Sequence, residues 1–286
     1  MTTDLVIQSP ALDKTMIEQI AAIGQASGVH WINKTAARLL DVPSDHDERE
    51  AVRTWCDNHG ADQAFVAAQA RLADCKVLVM DMDSTLINIE CIDEIAAFAG
   101  LKAEVAAITE RSMRGEIKDF SDSLRLRVGY LEGLDAQVLE DVYTQRLQLN
   151  PGAEALIATA RQKGIKTMLV SGGFTFFTDR LKARLSLDAA HANELQTDAQ
   201  NRLTGRVQGK IIDAQGKADL LADFAARHDA KPEQIIAIGD GANDLKMLAM
   251  AGYSVAYRAK PVVRDQAKYS LNVTPLDGIL NWFSDI

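Results

Sequence analysis

The 286-residue chain is 47% hydrophobic and 25% charged, the balance of a globular protein with room for one large domain or two smaller ones. Its formal net charge of −9 argues against nucleic acid as a main partner, because phosphate backbones need clustered Lys and Arg. No stretch approaches the roughly 20 apolar residues that span a bilayer, and the N-terminus lacks a basic start followed by an apolar core. The three cysteines form neither a CxxC pair nor a zinc spacing, so a cytoplasmic protein with reduced thiols and no membrane partner is expected.

In chain order, Leu5-Val6-Ile7 reads as a short strand and Met16, Ile17, Ile20, Ile23 and Gly24 follow at helical spacing. Val29–Ile32 and Leu39–Val42 are further strand candidates, and Glu48 to Asn58 reads as a second helix. The order strand, helix, strand, strand, helix predicts a small ferredoxin-like α+β module over residues 1–72. The remainder, 73–286, reads as α/β. Val77–Met80, Thr167–Val170 and Ile235–Ile238 are short apolar runs bounded by turn residues, the pattern of buried parallel strands. The first two are about 80 residues apart, far more than a crossover needs. Ile92, Ile95, Phe98, Val105, Ile108, Leu124, Val128 and Leu131 give that gap a helical pattern, so an inserted helical cap is expected at about 88–148. Ala153–Lys163 and Phe176–Arg184 read as helices, and residues 192–209 as a hairpin turning at 198–201. A helix opening at Gly216-Lys217, one from Asp244 to Met250, a strand at Tyr253–Tyr257 and a terminal helix from Leu276 to Phe283 complete the pattern. The fold class is α/β: a Rossmann-like core with an inserted cap and a small hairpin, preceded by the α+β module.

Each of the three apolar runs ends in small or acidic residues: Asp81-Met82-Asp83-Ser84-Thr85, Ser171-Gly172-Gly173, and Gly239-Asp240-Gly241-Ala242-Asn243-Asp244. Ligands of open α/β sheets bind beyond the carboxyl ends of the strands, so this is where a site belongs. Asp81 and Asp83, two apart on extended chain, share a face. An isolated DxD is most often a solvated strand end, but two further strand ends of the same kind favour chemistry here. Asp240 and Asp244 add carboxylates, and a cluster of Asp oxygens suits a hard cation such as Mg²⁺. The Ser171 hydroxyl and the amides of Gly172 and Gly173 suit phosphoryl oxygens. Lys217, by itself an ordinary surface lysine, would neutralise phosphate charge if it reached the same place.

The strings DMDSTL, SGGF and GDGAND, together with Lys217, resemble the four motifs of the haloacid dehalogenase superfamily of phosphotransferases. DMDSTLINIECIDEIA and RSMRGEIKDFSDSLRLRV are similar, further, to the first motif and cap segment of the phosphoserine phosphatase family. The resemblance spans about residues 76–275; the first 75 residues look like the N-terminal extension of some bacterial members. It implies Asp81 as nucleophile and Asp83 as general acid and base. It implies Mg²⁺ held by Asp81, the Asp83 carbonyl and Asp240, with Asp244 orienting a bound water. Ser171, Gly172, Gly173, Lys217 and Asn243 would hold the phosphate. Arg127 would clamp the substrate carboxylate, Glu90 would pair with its ammonium, and Met113 and Phe120 would close the apolar side. The implied activity is hydrolysis of O-phospho-L-serine through an aspartyl-phosphate, as the last step of serine biosynthesis, by a monomer or homodimer.

Three alternatives stay open on the sequence. The substrate is another small phosphomonoester, such as phosphohomoserine or phosphothreonine. Alternatively the chain is a receiver that stores phosphate on Asp81, which the long insertion and Asp83 argue against. In the third reading residues 1–72 act as a small-molecule sensor that regulates an enzyme.

Overall fold

The computed structural model describes residues 3–43, 45–113, 116–117 and 119–286, the side chain of Met113 excepted. It has the expected α/β class, with an antiparallel four-stranded sheet near the N-terminus and a second sheet of seven strands. Two compact units emerge, one of residues 1–78, 151–166 and 228–286, the other of residues 79–150 and 167–227.

In the first unit, β1 (Thr3–Gln8), α1 (Lys14–Ile23), β2 (Gly28–Asn33), β3 (Ala36–Leu40), α2 (His46–His59) and β4 (Asp62–Ala67) form the N-terminal module. Its sheet order is β2-β3-β1-β4. The sequence reading found five of these elements and missed β4, whose Asp-Gln-Ala-Phe-Val-Ala has too little contrast to show a period. β3 also ends at Leu40 rather than Val42, because Asp41 takes φ +52° and breaks the strand. Leu5, Ile7, Ala37, Leu39 and Phe65 pack with Ile17, Ile20, Val52 and Trp55 of the helices. Aspartates start both helices: Asp13 accepts from the Met16 amide, and Asp45 from those of Asp47 and Glu48. Gly60, at φ +61°, ends α2.

The same unit holds α7 (Ala153–Gln162), β9 (Ile235–Gly239), α10 (Leu245–Leu248), β10 (Tyr253–Tyr257), α11 (Pro261–Arg264) and β11 (Tyr269–Leu271). β9, β10 and β11 run parallel. The helix expected over 244–250 is only one turn of α-helix after a 3-10 turn, and the terminal segment Leu276–Trp282 is 3-10 rather than α. Its Trp282 is fully buried and stacks on Tyr269, ring centroids 4.8 Å apart. Asp62, at the start of β4, is buried and accepts from the amides of Asn272, Val273 and Thr274 and from the Thr274 hydroxyl. Asp285 likewise accepts from the amides of Leu72 and Ala73 and from Lys163 Nζ.

The second unit begins within β5 (Val77–Met80) and holds the insertion, which is helical as expected: α3 (Cys91–Phe98), α4 (Lys102–Met113), α5 (Phe120–Gly129) and α6 (Gln137–Gln145). Ile95, Val105, Leu124, Val128 and Val142 are buried, so the apolar spacing read from sequence is the cap's own core. β6 (Lys166–Phe174), α8 (Thr175–Leu185), β7 (Ala189–Thr197), β8 (Leu203–Gln208) and α9 (Ala214–Arg227) follow. β7 pairs parallel with β6 and antiparallel with β8, which confirms the hairpin. The sequence reading ends the second strand at Val170; β6 instead continues through Ser171-Gly172-Gly173 to Phe174, with a shift in register against β7 between Val170 and Phe174. Among the described residues no helix is long and apolar enough to cross a membrane. All three cysteines are buried and unpaired, and burial pushes the thiols of Cys56 and Cys75 up to about 12.

Candidate active site

Within the second unit, β5 delivers Asp81 into a buried turn. The backbone at Asp81 is still extended, and the chain then folds sharply through Ser84 at φ +56°. Asn150 fixes this turn, donating from Nδ2 to the carbonyls of Thr85 (2.8 Å) and Ile87 (3.0 Å). Asp81 is 4% exposed and accepts a hydrogen bond from Lys217 Nζ at 2.5 Å. Lys217 stands in the first turns of α9 and is itself 1% exposed. The surface-lysine reading of Lys217 is thereby overturned. A fully buried ammonium needs a partner, and Asp81 provides one.

Asp83 accepts from the Cys91 amide through Oδ1 (2.9 Å) and from Ser171 Oγ through Oδ2 (3.3 Å). Burial raises its pKa above the usual carboxylate range, and this outweighs the opposing pull of the Cys91 and Ser171 hydrogen bonds and of Lys217. Ser171 Oγ also accepts from the Gly173 amide at 2.8 Å. A Cβ on Gly173 would stand 2.6 Å from Asp83 Oδ2, and one on Gly172 would stand 2.8 Å from Cζ of Phe120. The two glycines therefore let the backbone of β6 approach the carboxylate and the cap phenylalanine. The carbonyl of Gly172 accepts from Asn193 Nδ2 (2.8 Å), and Asn193 Oδ1 accepts from the Ile212 amide (2.8 Å). Asn193 is 2% exposed and ties β6 to the chain that leads into α9. Sequence reading missed it, because an Asn in a hairpin strand carries no signal until the parallel register places it opposite Phe174.

The cap side is electrostatically paired. Glu90 accepts from Ser84 Oγ at 2.7 Å. Arg127 is half-buried; burial lowers its pKa, while Asp93, Glu90 and Asp83 favour its charge. Asp93, another residue not singled out from sequence, has its Oδ1 buried without a hydrogen-bond partner. The Met113 side chain lies outside the described residues.

Within the first unit, the end of β9 forms a compact acidic turn. Asp244 is fully buried, and its Oδ2 accepts from the amides of Gly241 (3.0 Å) and Asp240 (3.2 Å). A Cβ on Gly239 would stand 2.6 Å from the Asp244 carboxylate, so glycine is required for this closure. Asp240 is half-buried and Asn243 follows in the same turn. The backbone thus orients Asp244, which cannot turn outward without leaving two amides open.

Residues 78–249 match the family model of the haloacid dehalogenase-like hydrolases, and residues 5–52 match a domain of unknown function, DUF4072. The chain is 51% identical over 214 residues to a phosphoserine phosphatase of Polaromonas sp., covering 73% of this chain and 90% of that protein. It is similarly 48% identical over 221 residues to a phosphoserine phosphatase of Albidiferax ferrireducens, covering 76% of this chain and 93% of that one. Among solved structures, a HAD family hydrolase from Salmonella enterica serovar Typhi superposes with a TM-score of 0.90 at 32% identity, covering 100% of this chain and 99% of that one. A probable phosphoserine phosphatase from Vibrio cholerae, in unliganded form, gives 0.84 at 37% identity, covering 99% and 86%.

Proposed function

The chain belongs to the haloacid dehalogenase-like hydrolase family and is a phosphatase, and from that premise we propose that it hydrolyses O-phospho-L-serine, in the last step of serine biosynthesis. The observation that carries the chemistry is the buried Asp81–Lys217 pair beside an Asp83 held by Ser171. The likeness to phosphoserine phosphatases carries the substrate.

In the first step Asp81 attacks phosphorus, the bond from phosphorus to the serine oxygen breaks, and an aspartyl-phosphate forms. Asp83, whose burial favours the protonated form, gives its proton to the departing oxygen. In the second step Asp83 takes a proton from water, the water oxygen bonds to phosphorus, and the bond to Asp81 breaks to release phosphate. Lys217, Ser171 and the amides of Gly172 and Gly173 offset the charge of the phosphoryl oxygens, with Asn243 assisting. Unaided phosphate monoesters react extremely slowly, so this surround carries much of the rate. Arg127 binds the substrate carboxylate and Glu90 its ammonium, with Phe120 and Met113 against the apolar side.

Asp81, Asp240 and Asp244 would offer only carboxylate oxygens, with no His or Cys among them, a donor chemistry that fits Mg²⁺. Asp81, the Asp83 carbonyl and Asp240 would hold the ion, and Asp244 would orient its water. When bound, it supplies positive charge against the phosphoryl oxygens.

Phosphate release from L-phosphoserine in Mg²⁺ tests this reading, beside phosphothreonine, phosphohomoserine, an aryl phosphate, excess EDTA and the Asp81→Asn protein. Preference for phosphoserine, abolished by EDTA and in the variant, is expected. Faster turnover of another phosphomonoester would remove the roles given to Arg127 and Glu90. A stable phosphoprotein without turnover would replace the enzyme reading by the receiver.

A further inference from the structure

In the second unit the parallel register of β6 and β7 slips at Ser171. Val170 stands opposite His191 and Phe174 opposite Asn193, so Ser171, Gly172 and Gly173 stand against Ala192 alone. A ladder interrupted in this way leaves backbone groups of the longer strand without their regular partners. One of them, the Gly172 carbonyl, is satisfied by a side chain instead: buried Asn193 donates to it from Nδ2 at 2.8 Å. Asn193 Oδ1 accepts from the Ile212 amide at 2.8 Å. A carbonyl on one side and an N–H on the other fix which end of the Asn193 amide faces which partner.

The Gly172 carbonyl and the Gly173 amide belong to one trans peptide group, in which they point in opposite directions. Holding the carbonyl therefore aims the amide, which donates to Ser171 Oγ at 2.8 Å. Ser171 Oγ in turn donates to Asp83 Oδ2 at 3.3 Å. One line of hydrogen bonds thus runs from the Ile212 amide through Asn193, the Gly172–Gly173 peptide and Ser171 to Asp83. This peptide needs holding. Glycine flanks it on both sides, because a Cβ on Gly173 would stand 2.6 Å from Asp83 Oδ2 and one on Gly172 2.8 Å from Phe120 Cζ. Without Cβ atoms little opposes a rotation that exchanges amide and carbonyl. A carbonyl oxygen turned toward a phosphoryl group would repel the charge that the amide attracts. At its other end the line holds the approach to α9. Asp213, next to Ile212, accepts from the Gly216 amide through its carboxylate (2.8 Å) and from the Lys217 amide through its carbonyl (2.9 Å).

We propose that Asn193 is a positioning residue for phosphoryl binding. It locks the Gly172–Gly173 peptide with its amide toward the phosphate and holds the same stretch of chain that carries Lys217. This rests on the proposed function, in which Ser171, Gly173 and Lys217 hold the phosphate.

Kinetics of the full chain in Mg²⁺ test it, with L-phosphoserine and an aryl phosphate as substrates and inorganic phosphate and L-serine as inhibitors. Asn193→Ala should weaken inhibition by phosphate about tenfold, the scale of one charge-assisted hydrogen bond. It should lower kcat/KM by a similar factor for both substrates, since they share only the phosphoryl group. Inhibition by L-serine should be unchanged, whereas a general loosening of the fold would weaken both inhibitors. In Asn193→Asp the introduced carboxyl group donates to Gly172 only when protonated. The ratio of its phosphate inhibition constant to that of wild type should therefore approach unity as pH falls. Phosphate and His191, the nearest histidine along β7, titrate in both proteins and cancel in the ratio. In the unsubstituted protein, added phosphate should shift the Asn193 side-chain amide resonances together with the Gly173 amide resonance, so the test does not depend on either variant folding. Wild-type phosphate inhibition in Asn193→Ala, equal weakening of phosphate and L-serine, a ratio for Asn193→Asp that ignores pH, or Asn193 resonances that stay fixed while that of Gly173 moves would overturn the proposal. A wild-type protein that prefers another phosphomonoester would overturn the substrate reading alone, because the phosphate and aryl phosphate comparisons still report on Asn193. A wild-type protein that binds no phosphate would overturn both.

Discussion

A lysine and an aspartate that are each almost wholly buried define each other's state. Removing one partner of such a pair strands a charge in a low-dielectric site, at a cost of about 3–5 kcal/mol. Lys217→Met should therefore lower thermal stability as well as turnover, whereas Asp81→Asn keeps an acceptor for the ammonium and should lose activity with a smaller loss of stability. Paired thermal melts and phosphate-release assays separate the two, and equal melting shifts would count against this account of the pair. Gly173 makes the opposite prediction. An added Cβ 2.6 Å from Asp83 Oδ2 must displace that carboxylate. On the role proposed for Asp83, Gly173→Ala should cost about two orders of magnitude in kcat, the scale of a roughly 1 Å misplacement of a reacting group, while the fold monitored by circular dichroism persists.

At the scale of elements, the apolar runs that lead to Asp81, Ser171 and Asp240 are legible in the sequence because a buried parallel strand needs a continuous apolar run, although β6 continues past Ser171 to Phe174. β4 and β11 are not legible. β11 has only three residues and β4 lacks apolar contrast, and each pairs with the strand beside it, β1 for β4 and β10 for β11. The burial of Lys217 is invisible for a related reason: helical spacing says which face a residue shares, not what lies opposite. Asn193 went unread because its partners, the Gly172 carbonyl and the Ile212 amide, come from other segments of the chain. The tie between Asp285 and the 3-10 turn at Leu72–Asp74 belongs to this scale too. Burial alone would raise the Asp285 pKa, but the amides of Leu72 and Ala73 and the Lys163 ammonium outweigh it and the net shift is downward. A depressed folded value means that the stabilisation is fully present above the unfolded value of about 3.9 and is lost as pH falls through the folded value. Asp285→Asn should thus lower the urea midpoint at pH 7, and the gap from wild type should close as pH drops below 4. A gap that stays constant with pH would assign the effect to packing.

For the whole molecule, residues 1–78 cluster with 151–166 and 228–286. Asp62 shows how. Its single carboxylate serves three consecutive amides and a hydroxyl on residues 272–274. Asp62→Ala should cost about 3 kcal/mol, from the loss of charge-assisted bonds to buried groups, read as a fall in urea midpoint without change in slope. A null result would mean that those amides find other partners. The same anchor governs how a shortened protein behaves. Cutting the chain at residue 72 strips the acceptor from three backbone amides, so a truncated enzyme with altered kinetics would report frayed β11 as readily as a lost regulator. A fair comparison keeps the anchor and empties the module by substitution within its own core, for instance at Ile20 or Val52.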